Sequence, residues 1–428
     1  MNADKNDVVT SPTEVSSAPK PSDSDGPEVR KFDGVICFGG EDWWYHNRAH
    51  YDMQMMRELS SRVPVLYVNS IGMRVPTMTE GGMFFKRVQR KLKSFSRGLV
   101  NVRIGFSVQS PVAVPGRLGM KLSSWLLPRQ IERAAAKLDM QNPLIWVACP
   151  PGIEAAQKMK HAGLVYQRTD RFECYEGVDQ ALIKSFDVTL KREADLVLYC
   201  SRHLFEEEAS EGHVSAFIDH GVDFRKFVTA GDHPEARGSA APQLIRDVME
   251  GVSGPRVGFV GDIDSAVFDH VLLLETAALL PEVQIVLVGA CSLPEGWADG
   301  AANVHLTGRV PYEDVPATMA SMDVLMMPWH RSEWIEACNP IKLKEYLATG
   351  RPVVSTDFPE LRHYEGLVAI ANEPELFAAA ITKGLEDADP TLKQRGRERI
   401  ADATWTSRAA SVLEELEQRS GLKASGFG

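Results

Sequence analysis

Residues 339–361, Asn-Pro-Ile-Lys-Leu-Lys-Glu-Tyr-Leu-Ala-Thr-Gly-Arg-Pro-Val-Val-Ser-Thr-Asp-Phe-Pro-Glu-Leu, restrict the fold of this chain more than any other stretch. They read as a polar turn at Asn339 and Pro340, a short helix carrying Lys342 and Glu345, Gly350 as its C-terminal stop, a strand over 352–355 and a loop reaching Glu360. A helix followed so closely by an apolar strand requires a sheet with helices packed on it, hence an α/β architecture. The same order suits a nucleotide. Amides at the helix start face a diphosphate, a cation neutralises it, and a carboxylate one turn later takes both hydroxyls of a ribose. An ordinary helix–strand unit of an α/β core is the alternative reading.

With 428 residues, the chain exceeds what one hydrophobic core usually supports, so two domains are expected. Hydrophobic residues at 44% and charged residues at 25% fit a soluble enzyme, and no run of 18 apolar residues suggests a membrane span. The first 27 residues are polar and acidic without an apolar core, which predicts a disordered tail over 1–31 rather than a secretory leader. Cys37, Cys149, Cys174, Cys200, Cys291 and Cys338 are widely spaced, as reduced thiols of a cytoplasmic protein would be, and no metal site is expected from them. The net charge of −11 argues against nucleic acid as a partner. Charge is nevertheless uneven: residues 81–135 hold eleven Lys or Arg and one acid, Glu132. Over 84–97 Phe84, Phe85, Val88, Leu92 and Phe95 interleave with cations at roughly helical spacing, the pattern of a peripheral contact with anionic membrane. A solvated basic face over a core stripe is the competing reading.

Apolar strand-like runs alternate with helical stretches along the chain. Strands are predicted at 34–38, 63–68, 101–106, 144–148, 164–167, 196–200 and 216–218. A second series is predicted at 256–260, 284–288, 304–306, 324–327, 352–355 and 367–370. Residues 229–254, rich in Gly, Ala, Pro and charge, mark the transition. The division expected is a tail at 1–31, a Rossmann-like domain at 32–222, a second at 223–395, and a crossover helix with tail at 396–428. Doubly wound sheets bind ligands at the carboxyl ends of their strands, so the site belongs in the cleft between the two domains.

The 339–354 signature closely resembles the sugar-nucleotide motif of GT-B glycosyltransferases, in particular bacterial polysaccharide-biosynthesis enzymes. Other landmarks occur in that family's order: Thr169-Asp170-Arg171, Asp195 to Ser201, His220-Gly221-Val222-Asp223, Gly258-Phe259-Val260-Gly261, Val288-Gly289, and Gly308-Arg309-Val310-Pro311-Tyr312. The resemblance spans roughly 34–416 and ends on a helix from Trp405 that resembles the GT-B tail crossing back onto the first domain. It implies a transferase moving a sugar from a nucleotide-sugar donor, with UDP favoured, to a glycan or lipid-linked acceptor. The donor enters as substrate, and neither a cofactor nor a divalent metal is expected. The implied location is cytoplasmic, peripheral on the inner face of the plasma membrane.

Glycosyl transfer requires a stabilised leaving diphosphate, a held sugar and, if configuration inverts, a base for the acceptor hydroxyl. Glu345 is assigned to the ribose and Lys342, three residues earlier on the same helix face, to a phosphate. Asn339 and Pro340 shape the turn whose amides face the diphosphate, and Gly261 ends the Gly258–Gly261 element beside it. In the wider retaining group an acid precedes the ribose glutamate by eight positions, where this chain has Ala337, with Glu336 one residue out of register. An Arg and a Lys usually follow the glycine loop; here Asp262 and Asp264 stand instead, leaving His330, Arg331 and Lys342 to neutralise the phosphates. Asp170, at a first-domain strand end with Arg171 to keep it ionised, is the expected base, and His46 is the alternative. Trp43 and Trp44 are placed against acceptor sugars, with core packing equally open, and Arg48 follows them. Glu360 is placed on a loop facing the donor sugar.

Three other functions remain to be weighed. A sugar-nucleotide epimerase of the same fold would have no use for the basic 84–97 stretch. A NAD-dependent oxidoreductase is disfavoured because neither glycine run, 37–40 or 258–261, forms G-x-G-x-x-G. An inactive glycan-binding GT-B protein would explain the missing diphosphate cations.

Overall fold

The computed structural model describes residues 29–45, 50–73, 93–112, 117–386 and 389–426. Nine strands lead from the start of these residues to the end of the first sheet: β1 (Arg30–Phe32), β2 (Val35–Phe38), β3 (Val65–Val68), β4 (Leu99–Arg103), β5 (Phe106–Gln109), β6 (Leu144–Val147), β7 (Gly163–Arg168), β8 (Leu196–Tyr199) and β9 (Ser215–Phe217). Eight of them form one sheet in the order β4-β5-β3-β2-β6-β7-β8-β9. All pairs are parallel except β4 with β5. The central strands are apolar at every position because helices cover both faces of the sheet; Val35, Ile36, Cys37 and Phe38 are all buried.

The second sheet contains β10 (Arg256–Val260), β11 (Gln284–Val288), β12 (Val304–Gly308), β13 (Val324–Met327), β14 (Val353–Ser355) and β15 (Ala369–Ile370). Its order is β12-β11-β10-β13-β14-β15, entirely parallel. Sequence order reverses between β2 and β6 in the first sheet and between β10 and β13 in the second. Such reversals open a crevice at the strands' carboxyl ends. Gly39 and Gly40 follow one of these ends, and Gly261 and Trp329 lie just beyond the other.

The predicted strand at 101–106 is instead the turn of a hairpin. β4 and β5 pair antiparallel around Ile104 and Gly105, whose φ of 74° takes the left-handed conformation. Residues 229–254 are not a bare linker: they hold the end of helix Phe224–Gly231 and the helix Gln243–Val248, which bury Phe227 and Ile245 completely. Arg30 and Lys31, assigned to the tail, begin β1, which pairs in parallel with β16 (Leu422–Ala424). The preceding helix, Trp405–Ser420, is capped by the Thr404 hydroxyl and buries Trp405, Ala409, Val412 and Leu416 in the core of the first sheet. The chain thus returns from the second sheet to the first. Among the described residues no helix is long and apolar enough to cross a membrane. Most of the basic stretch 84–97 lies outside the described residues.

Candidate active site

The helix Ile341–Thr349 begins at Pro340 without a side-chain cap and ends at Gly350 in the left-handed conformation. Its first turn therefore leaves amides for an anion. Lys342 projects from that turn toward Gly261, and a Cβ on Gly261 would fall 2.4 Å from the ammonium nitrogen. A side chain at this position would push the cation aside. The ammonium sits over the rings of Phe259 at 4.5 Å and Trp329 at 5.0 Å and makes no ion pair among the described residues. Aromatic faces accommodate the charge while leaving it free to meet an incoming anion.

Glu345 lies one turn further on and is 5% exposed. Burial pushes its carboxyl up to about 7, against the pull of Lys342. No described side chain or amide donates a hydrogen bond to it. A buried carboxylate without donors is costly, and a ligand offering two vicinal hydroxyls would meet that need. The sequence-based pairing of Lys342 with Glu345 is thus two unpaired, oppositely charged groups on one wall of the cleft.

The loops beside this helix rearrange several expectations. Asp264 does not face the phosphate position; its carboxylate accepts hydrogen bonds from the amides of Ala266 and Val267 at 2.9 and 3.0 Å. Asp262 pairs with Arg309 at 3.4 Å. His330, expected to hold phosphate, instead sits 3.3 Å from Asp269. Arg331 is exposed, while Ala337, at the place of the missing acid, is fully buried in the first sheet's core.

The Asn339 side chain is a strut between the sheets. Its amide donates to the Cys200 carbonyl at 2.7 Å and to Asp219 at 2.8 Å. Lys344, which sequence reasoning passed over, is 1% exposed and pairs with the same Asp219 at 2.8 Å. Burial alone would raise the Asp219 carboxyl, but Lys344 and its other partners hold it down at about 2. Glu360 is buried close to this cluster, its carboxyl raised to about 7 by burial against Lys344, with Asp219 adding to the rise. Its neighbours are therefore the interdomain charges.

On the opposite wall, Asp170 follows β7 and accepts a hydrogen bond from the Tyr175 hydroxyl at 2.8 Å. Burial raises its carboxyl to about 6, with Tyr175, Arg168 and the Trp334 indole opposing. The Tyr175 ring meets that of Trp334 at 4.6 Å, so the loop bearing Asp170 touches the second domain. Arg171 does not serve Asp170: its guanidinium turns to Glu207 at 2.5 Å. The cation nearby is Arg168, fully buried and held by Glu173, Asp187 and Glu208. Trp43 packs in the core against Tyr67 and Phe106, out of reach of a sugar. Trp44 donates from its indole to Ser110 at 3.0 Å and carries Arg97 on its face at 4.4 Å. His46 and Arg48 lie outside the described residues.

Among the described residues no three His, Cys, Asp or Glu side chains converge as a metal site requires. A surface depression of about 370 Å³ lined by Phe224, Lys393 and Arg397 shares none of the cleft residues.

Two doubly wound sheets, a cleft at their strand ends and a helix returning to the first define the GT-B fold. Residues 254–387, which include Lys342 and Glu345, match the family described as Glycosyl transferases group 1. It is 26% identical over 250 residues to the Bacillus subtilis (strain 168) protein named as the teichuronic acid biosynthesis glycosyltransferase TuaH, a match covering 54% of this chain and 59% of that relative. The fold is similar to sucrose-phosphate synthase from Thermosynechococcus elongatus, with TM-score 0.66 and 15% identity over 90% of this chain and 98% of that one. It is also similar to Anabaena Alr3699/HepE in complex with UDP and glucose, with TM-score 0.64 and 15% identity over 90% of this chain and 99% of that one.

Proposed function

We propose that this protein is a glycosyltransferase that moves a sugar from a nucleotide-sugar donor, a UDP-sugar, to a hydroxyl of a glycan or lipid-linked acceptor in polysaccharide biosynthesis. The observation that carries this reading is the unpaired Lys342 ammonium at Gly261 with the unpaired, buried Glu345 one turn beyond. Their spacing fits a phosphate and a ribose of one nucleotide. The match of residues 254–387 to glycosyl transferases supports the reaction class, and the UDP and glucose named with HepE support the donor class. The name of the Bacillus subtilis relative supports a polysaccharide product.

In this mechanism Glu345 fixes the ribose, Lys342 and the amides at the start of its helix stabilise the leaving diphosphate, and Asp170 removes the proton of the acceptor hydroxyl as that oxygen attacks the anomeric carbon. The acceptor's O–sugar bond forms while the bond to the diphosphate breaks, and the product anomer is opposite to the donor's. Tyr175 orients the Asp170 carboxylate, and the Arg168–Glu173 pair anchors the loop that carries both. The basic stretch 84–97 supplies peripheral attraction to anionic lipid, bringing the cleft to a lipid-linked acceptor. The Trp125 ring, half-exposed under Arg129 at 3.9 Å, extends that cationic, aromatic character to described residues. Incubation with UDP-sugars and short glycan or lipid-linked acceptors, followed by NMR, tests the reaction. Release of UDP with a new glycosidic bond of inverted configuration is expected; retained configuration removes Asp170 as the base, and absence of transfer from every donor overturns the proposal.

A further inference from the structure

A diphosphate at Gly261 would meet an acid, Asp262, where a cation is needed. A cation reaches the same place from a strand two positions away. β10, β11 and β12 end side by side: the Gly261 amide donates to the Val288 carbonyl at 2.9 Å and the Gly289 amide to the Gly308 carbonyl at 3.0 Å. Arg309 follows Gly308 directly, and its guanidinium spans the end of β11 to reach Asp262. Lys342 stands on Gly261 itself. Asp262 is therefore a carboxylate common to the surroundings of two cations, and it contributes to the electrostatics of Lys342.

Building on the donor-binding reading, the geometry points to Arg309 as a second diphosphate-binding residue, held beside the site by Asp262 until a nucleotide arrives. The contact between them is a single one of 3.4 Å, and both side chains are largely solvent-exposed, at 49% and 64%. Such a pair is weak and readily exchanged. A phosphate offers the guanidinium two parallel, charge-assisted hydrogen bonds, a better match than one long contact to a carboxylate. Lys342 and Arg309 then provide one cation for each phosphate. Asp262, facing solvent, acts as a competitor whose hold on Arg309 must be given up.

This exchange makes the two partners act in opposite directions, which a merely structural ion pair does not. Calorimetric titration of the full chain with UDP and with uridine, in chelator and in Mg²⁺, reads it. R309Q is expected to weaken UDP binding by about tenfold to a hundredfold, the range for a charged hydrogen bond, and to leave uridine binding unchanged. D262N is expected to tighten UDP several-fold, roughly the scale of removing one exposed competing charge. UDP affinity unchanged in R309Q overturns the assignment while leaving the donor reading intact. Weaker binding of UDP by D262N in Mg²⁺ also overturns it, because Asp262 would then hold a bridging cation. If the unmodified protein binds neither UDP nor uridine, the donor reading fails and this assignment fails with it.

Discussion

Glu345 shows how a ligand site can be recognised from what it lacks. Its carboxyl is raised to about 7 by burial, above the ordinary glutamate range. The folded pKa exceeds the unfolded one, so the contribution to stability is fully present below about 4.3 and is lost as pH rises through about 7. Glu345→Gln should therefore raise the melting temperature of the nucleotide-free protein at about pH 8 and leave it nearly unchanged at about pH 5; an equal effect at both pH values would show that the carboxyl is not buried in this way. Asp170 carries a second prediction. With its carboxyl at about 6, activity should rise with pH through that value, and Asp170→Asn should lower turnover by about 10²- to 10⁴-fold without changing donor affinity. Near-normal turnover, or a rising limb unmoved in pH–rate measurements of Tyr175→Phe, would argue against it. At this scale the sequence disclosed Lys342 and Glu345 because three residues on one helix fix their relation. It concealed the partners of Arg171, Asn339 and Lys344, which come from residues 36, 120 and 125 positions away and are brought close only by tertiary folding.

Elements were legible wherever an apolar run had helices on both sides. β10, β11 and β13 occupy the predicted residues, because buried parallel strands must be continuously apolar. β1 and β16 escaped notice: three residues long, with Lys31 and Lys423 among them, they carry no periodic signal and exist because two segments about 390 positions apart meet. The hairpin at Ile104 was read as one strand because a single Gly105 supplies its turn. The Trp405–Ser420 helix is the element whose removal from the first core is easiest to test. Leu416→Ala, fully buried against that core, should cost about 2 to 5 kcal/mol in denaturant unfolding, whereas Glu414→Ala on the exposed side should stay within about 0.5 kcal/mol. Similar small effects for both would mean that the helix does not support the first sheet.

At the scale of the molecule, the two sheets are fastened by Lys344, Asn339 and Asp219 beneath the cleft. Removing one member of a buried ion pair leaves the other charge unpaired, so Lys344→Met should destabilise by about 3 to 5 kcal/mol, while Lys344→Met with Asp219→Asn should recover much of that loss. Thermal or denaturant unfolding of the single and double variants measures the coupling; additive losses would contradict a clamp. The cleft brings Lys342 and Glu345 from the second domain opposite Asp170 from the first, an arrangement foreshadowed by the order of sequence landmarks but not by any one of them. The account rests most heavily on the nucleotide wall of that cleft. Isothermal titration of UDP into the unmodified chain and into Glu345→Gln tests it most directly. Binding by the unmodified chain, weakened by about 1.5 to 3 kcal/mol in Glu345→Gln, is the predicted result; equal affinity in the two proteins, or no UDP binding at all, would contradict it.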